Sequence, residues 1–272
     1  MKASRRSVTA LALAGGVALA ALTVAPAAQA ASTGITVSNI VVNGGKPIVV
    51  GTSDAKEPSL NFRITVPAGY SVDDASRYNA EPFLYHGSTP AKGIAARDAL
   101  YAGGYTCYRV STRVADCKGA LWIKPSQLNS SADAGTWKVG VVAELYRADG
   151  SLGPKEYKTT SVTAPVRRWA NVTVNAGPEP VTKGKTLTVT GALTRADWAT
   201  HKYAGYGSQT ASLQFRKANS STYTTVKKVT AGSTGALKTT VTASVDGYWR
   251  WTFGGTATTG TATATGDYVD VR

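Results

Sequence analysis

The side chains able to do acid-base or nucleophilic chemistry are few. His86 and His201 are the only histidines, and no Gly-x-Ser-x-Gly elbow accompanies either as part of a Ser/His/Asp or Cys/His system. Cys107 and Cys117 are the only cysteines, each within strand-like sequence, and an even count at short spacing reads as a disulfide stapling a hairpin. Oxidation removes a thiol nucleophile, and two sulfurs without a histidine at ligand spacing make no zinc site. Glycoside hydrolysis needs two carboxylates poised across a cleft; Asp98, Asp116, Asp133, Glu144 and Glu156 are available, but nothing in their order pairs them. The expectation is a protein that is not an enzyme and uses no cofactor.

Recognition has better support. Alternation across Tyr248-Trp-Arg-Trp-Thr-Phe253 sends Trp249, Trp251 and Phe253 to one face and Tyr248, Arg250 and Thr252 to the other. By the same rule Leu213 and Phe215 point inward and Gln214 and Arg216 outward, while Val269 and Val271 leave Tyr268 and Asp270 outside. If these runs are adjacent strands, Gln214, Arg216, Tyr248, Arg250 and Tyr268 form one exposed Arg/Tyr surface, of the composition binding surfaces favour. An ordinary solvated sheet face with cross-strand pairs would have the same pattern.

A second candidate is the segment Thr194 to Gln209, expected as a long loop carrying Trp198, His201, Lys202, Tyr203 and Tyr206. Such a loop could stack on sugar rings or grip a partner. Alternatively Trp198 and Tyr206 cap the end of a core, which leaves His201 and Tyr203 for exposure. Trp122, Trp137 and Trp169 are expected in packing. The Gly/Thr tract from Gly254 to Thr265 reads as a flexible hairpin, since no lysine or helix follows its glycines to cradle a phosphate.

The elements that must position these residues are strands. Val, Thr, Tyr and Trp alternate with polar residues in short runs broken by Gly, Pro, Asn and Asp, an all-β sandwich pattern. Eight strands are expected between Ile35 and Ala164, with a helical turn near Ala95 to Tyr101 and a loop over Ala68 to Ala80. Seven more are expected between Ala170 and Val271, the number of an immunoglobulin-like module. The fold expected is two immunoglobulin-like β-sandwich domains in tandem, 31–166 and 167–272, with the seam near Pro165-Val-Arg-Arg168. Val42-Asn-Gly-Gly45 and Val174-Asn-Ala-Gly177, each followed by a proline, suggest a weak internal repeat.

Residues 1–30 read as a signal peptide. Lys2, Arg5 and Arg6 precede an apolar stretch from Val8 to Val24 and an Ala28-Gln-Ala30 exit, so the chain is expected to work outside the cytoplasm from Ala31 onward. Its 27 Lys and Arg then stand against 16 Asp and Glu, a net charge of +11. Residues 167–272 hold 13 of the basic and 5 of the acidic side chains. A field of one sign concentrates polyanions in a salt-dependent way, while the absence of long like-charge runs points away from specific nucleic-acid binding.

Five runs carry a resemblance: Arg195-Ala-Asp-Trp198, Tyr203-Ala-Gly-Tyr206, Leu213-Gln-Phe-Arg216, Tyr248-Trp-Arg-Trp251 and Gly266-Asp-Tyr-Val-Asp-Val271. With them the chain resembles a group of secreted actinobacterial proteins with tandem immunoglobulin-like domains. The likeness implies fold and secretion and transfers no active site. Some members carry a calcium-binding label, but this chain lacks the Asp-x-Asp-x-Asp-Gly loop, and Asp267 with Asp270 or Asp73 with Asp74 offer too few oxygens. The function expected is non-enzymatic binding of an anionic cell-wall polymer or polysaccharide through the basic second half, or of a protein partner through the Arg/Tyr face. The protein is expected to be a secreted monomer, not inserted in a membrane.

Mass spectrometry of the exported protein is expected to find Ala31 at its N-terminus and no free thiol. Replacing both cysteines by alanine is expected to lower stability by roughly 2 to 3 kcal/mol, the chain-entropy value for so short a loop.

Overall fold

Buried and exposed residues alternate along nearly every apolar run, so the chain folds as strands. The computed structural model describes residues 32–272; the expected signal peptide lies outside them. The first half comprises β1 (Thr36–Val42), β2 (Ile48–Val50), β3 (Ser59–Thr65), β4 (Tyr78–Tyr85), β5 (Ala99–Leu100), β6 (Ala102–Ser111), β7 (Val114–Leu121), β8 (Gly135–Tyr146) and β9 (Leu152–Arg168). One sheet has the order β1-β3-β7-β6 and the facing sheet β2-β9-β8-β4-β5. Between β1 and β2 the chain crosses from sheet to sheet at Asn43, Gly44 and Gly45, all at positive φ, where the Asn43 amide donates to the carbonyls of Lys46 and Pro47. That crossing lets β2 lie parallel to β9.

The second half comprises β10 (Ala170–Val172), β11 (Asn175–Gly177), β12 (Thr186–Asp197), β13 (Lys202–Gly205), β14 (Thr210–Lys217), β15 (Thr224–Thr230), β16 (Ala236–Thr242), β17 (Gly247–Phe253), β18 (Ala262–Thr263) and β19 (Asp267–Val269). β12 is the spine of one sheet, pairing with β10, β11, β13 and β16. The other sheet runs β15-β14-β17, with β18 and β19 on the far edge of β17. Both halves are immunoglobulin-like sandwiches, and the fold is all-β. Cys107 and Cys117 sit directly opposite each other on β6 and β7 and are joined as a disulfide.

Several local expectations are corrected. The helix is α1 (Pro90–Ala95), one turn earlier than expected, because Pro90 suits a first helical position and the Thr89 hydroxyl accepts from the Lys92 N–H. The segment expected as a loop over Ala68 to Ala80 becomes strand from Tyr78. The Thr194 to Gln209 segment is a hairpin of β12 and β13, with Asp197 opposite Lys202 and the Asp197 carboxylate accepting from Ala199 N–H and the Thr200 hydroxyl in the turn. The Gly/Thr tract is docked: Arg168 N–H donates to Thr258 O and Gly260 N–H to Arg168 O, leaving Thr259 and Gly260 buried. Trp122 and Trp169 are each 39% exposed, unlike the buried Trp137.

Two apolar clusters fill the sandwiches, and their division does not follow chain order. Ala196 and Trp198, at the end of β12, belong to the cluster of the first half. The Trp198 indole is 1% exposed and donates to Gly51 O at 3.0 Å. Beside it the main chain closes a continuous seam, with Trp169 N–H on Val50 O and Ala196 N–H on Trp169 O, both at 2.8 Å. Arg168 lies in this seam at 5% exposure, donating to the Ser131 hydroxyl.

Replacing Trp198 by alanine is expected to destabilise by about 3 to 5 kcal/mol, the usual cost of emptying a buried tryptophan site. Phenylalanine is expected to lose less, through the unpaired Gly51 carbonyl and the smaller ring. Denaturant unfolding of both variants measures the difference.

Candidate binding face and other candidate sites

The outer face of the β14-β17-β19 sheet follows from the burial of its inner face. Leu213, Trp249, Trp251, Phe253 and Val269 are buried, so their neighbours point outward. Register places Gln214 opposite Arg250, Arg216 opposite Tyr248, and Tyr248 opposite Tyr268. All five residues expected on an Arg/Tyr surface therefore share one patch.

Tyr223, which the sequence pattern places at the start of a strand, lies just before β15 and completes the patch; alternation along the neighbouring strands did not bring it onto this face. Its ring stands between the two guanidiniums, 3.7 Å from Arg250 and 5.4 Å from Arg216, centroid to Cζ. Arg216 also lies 3.7 Å from the Tyr248 ring, which packs 5.1 Å from Tyr268. The order is Arg250, Tyr223, Arg216, Tyr248, Tyr268. Hydrogen bonds fix its cations: Arg250 Nε donates to Gln214 Oε1 at 2.8 Å, and Arg216 Nη1 to Ser220 O at 2.8 Å. Gly266 makes room, since a Cβ there would come within 2.2 Å of the Tyr223 hydroxyl.

Arg216 and Arg250 and the tyrosines beneath them are half-buried, and each such cation–π contact is worth on the order of 1 kcal/mol. Neither has a carboxylate within 4.0 Å among the described residues; the ion pairs lie elsewhere. The patch thus presents two preorganised planar cations whose charge the protein itself does not neutralise. Arginines so placed suit carboxylate, sulfate or phosphate groups.

The hairpin residues separate from this patch, since β12 and β13 belong to the opposite sheet. Tyr203 is 47% exposed and meets Trp169 at 5.2 Å, edge to face. His201 is exposed in the turn at a φ of 51°. Trp198 and Tyr206, however, are not available to stack on a ligand. Trp198 fills the first core. Tyr206 is 9% exposed, packed edge-on to Phe253 and covered by the Arg195 guanidinium at 4.0 Å.

The acidic candidates are engaged by protein donors. Arg63 holds Asp116 through two hydrogen bonds, Thr33 and Lys158 hold Glu156, and His86 Nδ1 contacts Asp98 at 3.1 Å while its ring stacks on Trp137. Asp133 accepts from Asn129 N–H, Ser130 N–H and the Ser130 hydroxyl. His86, Asp98 and Asp133 place donor atoms within 4.8 Å of one another, but the cap already uses both Asp133 oxygens. Of the pairs weighed for calcium, Asp267 accepts from Ala176 N–H and Asp270 from Arg272, while Asp73 pairs with Arg109 and Asp74 accepts from Ser76.

Glu144 is the most deeply placed of these carboxylates, at 9% exposure. Burial pushes its pKa up, but donation from Lys155, Asn79 and Tyr146 outweighs that and holds it below the usual carboxylate range. A lowered folded pKa gives stability that is present above the unfolded value and lost as pH falls through the folded one. Glu144→Gln is therefore expected to flatten the acid side of the stability profile below about pH 4.3, measured by urea unfolding at stepped pH.

No protein-family model and no curated protein sequence matches this chain. Among solved structures it is similar to a marsupial T cell receptor, at 9% identity over 87% of this chain and 73% of that one, with a TM-score of 0.38. Fibronectin(III)-like modules of Clostridium thermocellum CbhA match at 13% identity over 87% and 92% of the two chains, TM-score 0.27. The Escherichia coli adhesin FdeC matches at 20% over 86% and 62%, TM-score 0.25. Likenesses this low transfer no residue and no function.

Proposed function

We propose that this is a non-enzymatic binding protein that works outside the cell, with 31–166 and 167–272 as its two domains. The second, basic domain engages an anionic wall polymer or polysaccharide. One observation carries the reading: Arg216 and Arg250 are held on Tyr223 and Tyr248 with no carboxylate within 4.0 Å among the described residues. They sit in the half of the chain that has 13 basic and 5 acidic side chains. Fixed cations lose little freedom on meeting an anion, and the surrounding charge raises the rate of encounter.

A protein partner on the same face is the second reading, supported by Tyr268, 40% exposed and packed on Tyr248 in the patch that holds the two arginines, a composition suited to interface centres. Salt separates the two. Charge-led polymer binding weakens steeply as salt rises, whereas a packed protein interface loses mainly association rate.

Sedimentation with isolated cell walls and insoluble acidic polysaccharides, at low and high salt, tests the proposal. Retention at low salt is expected to fall at least about tenfold in the double variant Arg216→Ala, Arg250→Ala with the fold intact. Equal retention of wild type and variant would remove the face from the account.

A further inference from the structure

We infer that the seam between the sandwiches carries a second site, which takes one pyranose unit of a neutral glycan. This inference does not require the Arg/Tyr face to bind anything. Its walls are Trp169 and Tyr203, two exposed aromatic residues of the second sandwich that stand at the seam. Their rings meet at 67°, with centroids 5.2 Å apart, and so form a corner with two aromatic walls.

The backbone beneath the corner is fixed. Trp169 is tied on both sides by main-chain bonds to Val50 and Ala196, and Tyr203 stands in register with Ala196. The facing segment of the first sandwich, Gly51 to Lys56, is anchored at one end by the Trp198 indole on Gly51 O. At the other end Lys56 and Ile123 exchange N–H to O=C bonds of 2.9 and 3.0 Å. Gly51 lets the tyrosine come close: a Cβ there would lie 2.8 Å from the Tyr203 hydroxyl.

Between them lies a recess of about 220 Å³ lined by Gly51, Ser53, Asp54, Lys56, Trp169 and Tyr203. Ser53 also borders a second recess of about 320 Å³, where Lys124, Ser126 and His201 stand. The first is smaller than the roughly 300 to 1,000 Å³ of a drug-sized site, so it suits one ring at a time. Ser53 donates to Asp54 at 3.2 Å. Neither Asp54 nor Lys56 has an ion-pair partner within 4.0 Å among the described residues.

These features match one chemistry. A pyranose has an apolar C–H face and a rim of hydroxyls that both donate and accept. One wall of the corner stacks on the face and the other closes the edge of the ring; Asp54 accepts and Lys56 donates at the rim. One carboxylate and one ammonium leave the recess without net charge, which separates it from the cationic patch and favours a neutral sugar over an anion. Packing does not account for the exposed ring of Trp169. The buried indoles of Trp137, Trp198 and Trp251 each donate to a main-chain carbonyl, whereas at Trp169 it is the backbone that makes the seam bonds and the ring that remains 39% exposed.

The test titrates the mature chain with soluble cellohexaose, chitohexaose and a mannan hexasaccharide at high salt, followed by tryptophan fluorescence and calorimetry. At least one is expected to bind with little salt dependence. Affinity is expected to fall about tenfold or more in Trp169→Ala and separately in Tyr203→Ala, whose exposed side chain can be removed without opening a core. Arg216→Ala with Arg250→Ala is expected to leave this binding unchanged. Binding of none of the three sugars would overturn the inference, as would wild-type affinity in a folded Tyr203→Ala variant. Failure of the Arg/Tyr face in wall sedimentation would not touch it.

Discussion

The indole of Trp198 is the contact on which the arrangement of the molecule depends. It leaves the end of β12, fills the core of the other sandwich and donates to Gly51 O at 3.0 Å. It is the largest side chain that the hairpin commits to the first half, beside Ala196 in the same cluster. The seam also carries an energetic burden. Arg168 is 5% exposed, and burial lowers its pKa, with Arg195 adding repulsion and Tyr206 and Asp197 opposing it. A buried cation without an adjacent carboxylate is costly. Apolar burial of Trp198 and the paired backbone of β2, β9 and the Gly/Thr tract offset that cost.

The two candidate sites rest on different physics. The Arg/Tyr patch needs only its own sheet: register aligns the side chains, and the tyrosine faces hold the guanidiniums. Its attraction is electrostatic and subject to screening. The recess at Trp169 and Tyr203 takes its aromatic walls from the second half and Gly51, Ser53, Asp54 and Lys56 from the first, and it would act through shape and hydrogen bonding.

The strands and the outward set Gln214, Arg216, Tyr248, Arg250 and Tyr268 were legible in the sequence because alternation is a local property that burial enforces. The cysteine pair was legible for the same reason, as its two members face each other in one hairpin. What was not legible was long-range. Trp198 and Tyr206 read either as ligand-stacking aromatics or as caps on a core; that they are caps, and that Trp198 enters the core of the other sandwich, is decided by the hairpin. Nothing local to Gly254 to Thr265 reveals that Arg168 will pair with its backbone. Trp169 follows a strand and so resembles a core residue, yet its ring comes out at the edge of the seam. Tyr223 reads as the first residue of a strand, but β15 begins only at Thr224 and the ring lies by the β14 arginine; its closeness to Arg216 in sequence was the available signal.

Residue-resolved hydrogen exchange under native conditions tests the central claim, that the sandwiches share a continuous, Trp198-anchored seam. The account predicts that the Trp198 indole N–H and the Trp169 backbone N–H exchange only with global unfolding, as slowly as the core amides of β8 and β17. Fast exchange of both seam protons while those core amides remain protected would mean that the seam opens on its own, and would contradict the claim.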